Sequence, residues 1–186
     1  MRHRHAITLI ALALGAQGAV VSASTIAKRV EVQAPTARGA RPADVTSVDA
    51  IIRAVYDVIS GPAGDRDWDR MRALFAPGAR LIPIRVGDDG AAEARVNSLE
   101  EYIDASGAYF KENAFYETEI ARTTESFGHL THVFSTYESR HAPGEAPFAR
   151  GINSIQLVRD GDRWWIVTIF WNNERPGEQI PEKYLP

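Results

Sequence analysis

Proton-transfer chemistry needs a titrating side chain poised near neutral pH and a second polar group beside it, both set among apolar neighbours. Beyond residue 23 the chain has three histidines, His129, His132 and His141, and it has no cysteine anywhere. His129 abuts the turn at Gly128 and His141 ends a strand-like run, so both read as solvated. His132 lies within the run from Leu130 to His141, on the face of Phe134, Thr136 and Glu138, while Val133, Ser135 and Tyr137 take the other face. His132 or Tyr137 beside a carboxylate is a pattern able to move a proton. A sheet histidine satisfied by its neighbours fits the same spacing.

Tyr56 falls on the apolar side of a helical pattern, either as a core tyrosine or as a pocket hydroxyl. Ser154 and Gln156 occur mid-strand, where a polar group must find a hydrogen-bond partner or a wet cavity. Trp171 and Glu174 close the last strand and offer an aromatic wall and a carboxylate to a ligand; rim packing and solvation are the plainer roles for both. With no cysteine and only His129 and His132 closely spaced, no metal site is expected. Phosphate loops, nucleotide fingerprints and nucleophile elbows are absent, and no cofactor is expected.

The elements that must position these residues follow from periodicity. Val45, Val48, Ile51, Ile52, Val55, Tyr56 and Ile59 recur three and four apart, which predicts a helix ending at Gly61-Pro62. Asp67 caps a second, short helix carrying Trp68, Met71, Leu74 and Phe75. Arg80 to Val86 reads as a strand whose Pro83 suggests a sheet edge. Ser98 and Glu101 form a capping box for a third helix with Leu99, Tyr102, Ile103, Ser106, Tyr109 and Phe110 on one side. Four strands then follow, Phe115 to Ser126, Leu130 to His141, Arg150 to Arg159 and Trp164 to Asn173, separated by Gly128, the Pro143-Gly144 loop and Asp160-Gly161. Helices followed by strands predict an α+β domain with helices on one face of an antiparallel sheet. Simple alternation places Trp164, Ile166 and Phe170 on one face of the last strand and Trp165, Val167, Ile169 and Trp171 on the other. Both faces are then apolar, and a homodimer through the outer sheet face is expected to cover the second.

Residues 1–23 combine Arg2 and Arg4, an apolar run from Ala6 to Gly15 and Val21-Ser22-Ala23, the pattern of a cleaved secretory signal peptide. Periplasmic or secreted localisation is therefore expected, with no membrane span after removal of the signal. Residues 24–43 read as a flexible leader, 44–175 as the domain and 176–186 as a tail. Cleavage removes two arginines and no acidic residue, leaving 19 basic against 24 acidic residues, net −5. That balance, without a basic stripe, argues against a nucleic-acid partner.

The order helix, helix, strand, helix, four strands, with Gly161-Asp162-Arg163-Trp164-Trp165-Ile166 after a tight turn and a close at Trp171 and Glu174, resembles the nuclear transport factor 2-like superfamily. Its SnoaL-like and DUF4440-like bacterial proteins are the most similar branch. The resemblance implies a cone, a curved antiparallel sheet wrapped on three N-terminal helices with a pocket at one end, often dimeric. It also implies a functional range from isomerases, dehydratases and cyclases to members that only bind or assemble. In the isomerase-type relatives a carboxylate on the strand after the second helix takes a proton, assisted by a tyrosine on the first helix. Tyr56 matches that tyrosine, but Arg80-Leu81-Ile82-Pro83-Ile84-Arg85 contains no acid. The expectation is an exported small-molecule-binding or accessory protein. A lyase or isomerase acting on a small apolar substrate is the alternative, and a protein-interaction module the third reading.

Overall fold

The computed structural model describes residues 40–186. The expected signal peptide (1–23) and nearly all of the expected leader lie outside them. Helix α1, Pro42–Val45, starts within the stretch read as leader, with proline in its first turn where no intrahelical N–H is needed. The first predicted helix is broken at Thr46-Ser47 because Ser47 is a cap: its hydroxyl accepts the Ala50 N–H at 3.1 Å and opens α2, Val48–Ile59. Helix α3, Trp68–Leu74, is capped by Asp67, and α4, Leu99–Glu112, by the reciprocal Ser98 and Glu101 pair. Among the described residues four α-helices thus stand where three helices were expected.

Arg70 ties the first three helices together. Its guanidinium meets both carboxylate oxygens of Asp44 in α1, at 2.7 and 3.0 Å, and also Asp57 in α2. This fork holds the Asp44 carboxyl below its ordinary range. On the far side Trp68 of α3 stacks on Phe110 of α4, ring centres 6.1 Å apart.

Seven strands form one open sheet: β1 Phe75–Val86, β2 Ala92–Ala94, β3 Asn97–Ser98, β4 Tyr116–Phe127, β5 Leu130–Arg140, β6 Ala149–Asp160 and β7 Arg163–Asn173. Their order is β2-β1-β7-β6-β5-β4, with β3 also on β1. The sheet is mixed rather than antiparallel, since β1 runs parallel to β7. Nor is β1 the edge that Pro83 suggested. On its outer side β2 pairs with residues 84–86 and β3 with residues 80–81, and Pro83 falls in the gap between them, where its carbonyl takes the Arg95 N–H. The missing proline N–H costs the ladder nothing there.

Two bulges decide which side chains face the helices. In β7 the register slips at Val167, because Leu157 faces Ile166 but Gln156 faces Thr168. Trp164 and Ile166 before the bulge and Ile169 and Trp171 after it therefore all join the core with the helices. The simple alternation expected for this strand is corrected by that extra residue. In β4 the slip falls at Ile120, so Glu117 and Glu119 before it and Arg122 after it share the inner face. Ile51, Ile52, Met71, Leu74, Val133, Ile155, Leu157 and Ile166, none more than 1 % exposed, form the centre of the core.

The outer face is partly covered by the chain's own C-terminus. Glu174 is paired with Arg150 (2.8 and 3.0 Å) and accepts the Ile180 N–H at 3.1 Å, turning the tail back over the sheet. A 3₁₀ turn, Glu182–Tyr184, then sets the Tyr184 ring against Phe134 and its carbonyl on the Thr136 hydroxyl at 2.7 Å. This cover meets part of the need on which the dimer expectation rested. Phe170 and Val167 stay exposed, at 38 % and 36 %. Among the described residues no helix is long and apolar enough to cross a membrane.

Candidate active site

Between α2, α4 and the inner sheet face lies a cavity of about 230 Å³. That is smaller than the usual range for drug-sized ligands, so it suits a one-ring molecule. Its walls are apolar and aromatic, including Tyr102, Tyr109 and Phe110 from α4, Phe115 at the start of β4, and Trp171 from β7. Tyr102 meets Trp171 edge to face, ring centres 6.3 Å apart. One carboxylate is set into these walls, Glu117.

Glu117 is held there by its backbone as much as by its side chain. β4 is an edge strand, and the Glu117 N–H is taken by the Ser60 hydroxyl at 3.0 Å, which itself donates to the Tyr56 carbonyl at 2.7 Å. Gly61 and Phe115 exchange backbone hydrogen bonds one step further out, tying the end of α2 to the entry of β4. Ser139 donates to Glu117 Oε2 at 2.9 Å, and Asn153 also reaches the carboxylate. Glu117 is half-buried and lines both this cavity and a neighbouring groove. Removal from water outweighs both hydrogen bonds and pushes its carboxyl up to about 7.

Three tyrosines surround it. All are pushed above the ordinary phenol value, first by burial and then by the charge of Glu117. The Tyr56 hydroxyl lies 2.7 Å from Ser135, which donates to Glu119 at 2.5 Å. Since the serine hydrogen is committed, Tyr56 donates to Ser135 and accepts from Asn153 at 3.0 Å. The Tyr137 hydroxyl donates to Asn173, and Tyr102 pairs with Ser106 one turn along α4. Tyr137 reaches Asn173 because position 151 is glycine: a Cβ there would overlap its hydroxyl and stand 2.5 Å from the Asn172 carbonyl oxygen.

Glu117 and Tyr56 are also the partition between this cavity and a polar groove lined by Asp49, Arg53, Asp57, Glu119 and Arg122. In the groove Arg122 is bound to both Glu119 and Asp49. Tyr56 and Glu117 are the lining residues that the two spaces share.

The residues singled out in the sequence divide between the two sheet faces. Tyr56, Tyr137 and Trp171 line the cavity. His132 and Ser154 are on the outer face, bonded to each other at 2.9 Å, and Gln156 beside them is exposed. His132 and Tyr137 thus belong to opposite faces of β5 and do not serve one site. Glu174 is engaged by Arg150, which lowers its pKa, and it anchors the tail. Among the described residues no group of three or more His, Cys, Asp or Glu side chains is arranged to hold a metal ion.

Sequence reasoning missed Glu117. Residues 80–85, where the resemblance implied an acid, contain none, and Tyr116-Glu117-Thr118-Glu119 reads as an ordinary alternating strand. The available signal was its place directly after the aromatic end of α4 and Phe115.

The chain matches no protein-family model, and no curated protein matches it. Solved structures do. A protein of unknown function with a cystatin-like fold from Nostoc punctiforme superposes with a TM-score of 0.53 at 10 % identity, over 68 % of this chain and 88 % of that one. The Kfla4162 protein from Kribbella flavida gives 0.50 at 12 %, over 67 % and 86 %. An NTF2-like protein of unknown function from Pseudomonas putida gives 0.48 at 12 %, over 73 % and 88 %. The fold is the cystatin-like α+β fold. At these identities the likeness speaks for architecture alone.

Proposed function

We propose that the cavity binds one small, largely apolar molecule and that Glu117 exchanges a proton with its polar centre. The observation that carries this is a carboxyl raised to about 7 inside an aromatic cavity, with no lysine, arginine or histidine among the lining residues. A group with its pKa near neutrality both takes and gives a proton readily. The absence of an acid in residues 80–85 had favoured binding without chemistry; Glu117 supplies the acid from another strand. The Tyr56 hydrogen points away from the cavity to Ser135, so its part is to hold Asn153 rather than to polarise a ligand.

The test is an NMR binding screen of one-ring compounds against the wild type and Ser106→Trp, which fills the cavity from α4. Binding to the wild type that disappears in a folded Ser106→Trp variant is expected; hits that persist in it would overturn the cavity as the site. Native mass spectrometry of the protein from its own host reports any retained ligand and the stoichiometry together.

The proposal includes export, supported by residues 1–23, and a homodimer through the part of the outer face that the tail leaves open, around Val167 and Phe170. An uncleaved N-terminus in the host, or a monomer at micromolar concentration, would count against each in turn.

A further inference from the structure

The cavity presents an unusual combination. Its one carboxylate has no cation on the cavity side, and four of the donors around it are used by the protein itself: Tyr56 on Ser135, Tyr137 on Asn173, Asn153 on Tyr56, Ser139 on Glu117. What faces an incoming ligand is an acceptor, Glu117, ringed by the π-faces and edges of Tyr102, Tyr109, Phe110, Phe115 and Trp171. An anionic ligand would meet the carboxylate with nothing to offset it. A neutral hydroxyl or carbonyl compound gains one hydrogen bond. A cation gains the carboxylate and the ring quadrupoles together.

Resting on the cavity being the ligand site, we infer that its ligand is a small primary or secondary amine with a compact apolar body, held as its ammonium ion between Glu117 and the aromatic wall. The proton balance is simple. When a neutral amine meets protonated Glu117, the O–H bond breaks, an N–H bond forms on the nitrogen lone pair, and the product is the ammonium–carboxylate pair. No further reactant is consumed. The pair fills the cavity with no net charge, which resolves the cost of burying Glu117 ionised and alone.

The groups facing Glu117 are consistent with this. Tyr56 from α2, Tyr102 from α4, Tyr137 and Ser139 from β5 and Asn153 from β6 are neutral near pH 7. Charges lie across the partition in the groove, where Arg122 is bound to Glu119 and Asp49, with Arg53 and Asp57 beside them.

Benzylamine, benzyl alcohol and benzoate share one ring and differ in the group that would meet Glu117. Calorimetry of each at pH 8 and pH 5 tests the inference on the whole protein. At pH 8 benzylamine is expected to bind at least tenfold more tightly than benzyl alcohol, and benzoate not at all. At pH 5, where Glu117 carries its proton, that lead shrinks about tenfold. Glu117→Gln removes the lead at both pH values. Ser106→Trp abolishes binding of both. An alcohol that matches the amine at pH 8, or an amine lead that survives in Glu117→Gln, overturns the amine inference and leaves the cavity reading standing. Amine binding that survives Ser106→Trp places the amine in the groove and overturns it too. If no probe binds the wild type, both readings fall.

Discussion

Two spaces share the wall made by Glu117 and Tyr56, and they treat carboxylates in opposite ways. In the groove Glu119 is clasped by Arg122, which also holds Asp49, and these three charges are paired and keep access to water. In the cavity, two residues earlier on the same strand, Glu117 has only a serine and an asparagine. Placement alone leaves one carboxylate paired and the other uncompensated. The lesson is that residues two apart on one strand can differ wholly in how far the fold completes their charge.

The sharpest way to break that contrast is to remove the uncompensated group. The folded protein holds the Glu117 proton up to about 7, whereas the unfolded chain releases it near 4.5. The Glu117 contribution to stability is therefore complete below the lower value and is lost as pH rises through the upper one, by roughly 3 kcal/mol. Glu117→Gln is expected to abolish that fall. Urea denaturation at pH 5 and pH 8 should show the variant gaining on the wild type by about that amount at the higher pH. Equal differences at both pH values would mean that Glu117 is solvated and ordinary.

Gly151→Ala tests the geometry of the cavity side. Its Cβ would displace the Tyr137 hydroxyl and press on the Asn172 carbonyl, for a loss of about 1–3 kcal/mol and altered near-ultraviolet signals from the tyrosines. Unchanged melting would show that Tyr137 is free to move. Ser135→Ala cuts the link between Tyr56 and Glu119, a side-chain hydrogen-bonded path across the partition. A loss of about 1–2 kcal/mol is expected, together with a shift in the Glu117 titration followed by carbon-13 NMR. Arg122→Gln should cost least, about 1 kcal/mol or below, because its partners stay in contact with water. A large effect of Arg122→Gln on the Glu117 titration would mean that the two spaces are one electrostatic unit.

Much of the fold was legible because its signals are local. Ser98 and Glu101 announced α4, Gly61-Pro62 ended α2, and Asp160-Gly161 set the last hairpin. The four long strands fall within a residue of their expected limits. The parallel pairing of β1 with β7 was not legible, because it joins segments some ninety residues apart and Pro83 argued for an edge. Nor were the bulges, since an extra residue leaves no mark on composition and reverses the alternation after it. The candidate site depended on both kinds of hidden information. Tyr56, Tyr137 and Trp171 came from visible patterns, whereas Glu117 needed the three-dimensional wall that closes over it.

The bulge at Val167 has a consequence for how such a cavity changes over generations. Substitutions along β7 alter one wall residue at a time. Straightening the bulge with every residue kept would reverse the phase of the strand beyond it, exchanging Ile169 and Trp171 for Thr168 and Phe170 in the lining, whereas losing residue 167 would leave both inside. The cavity wall is thus set by strand register as well as by side-chain identity. A one-residue slip in pairing is the shortest route to a different wall.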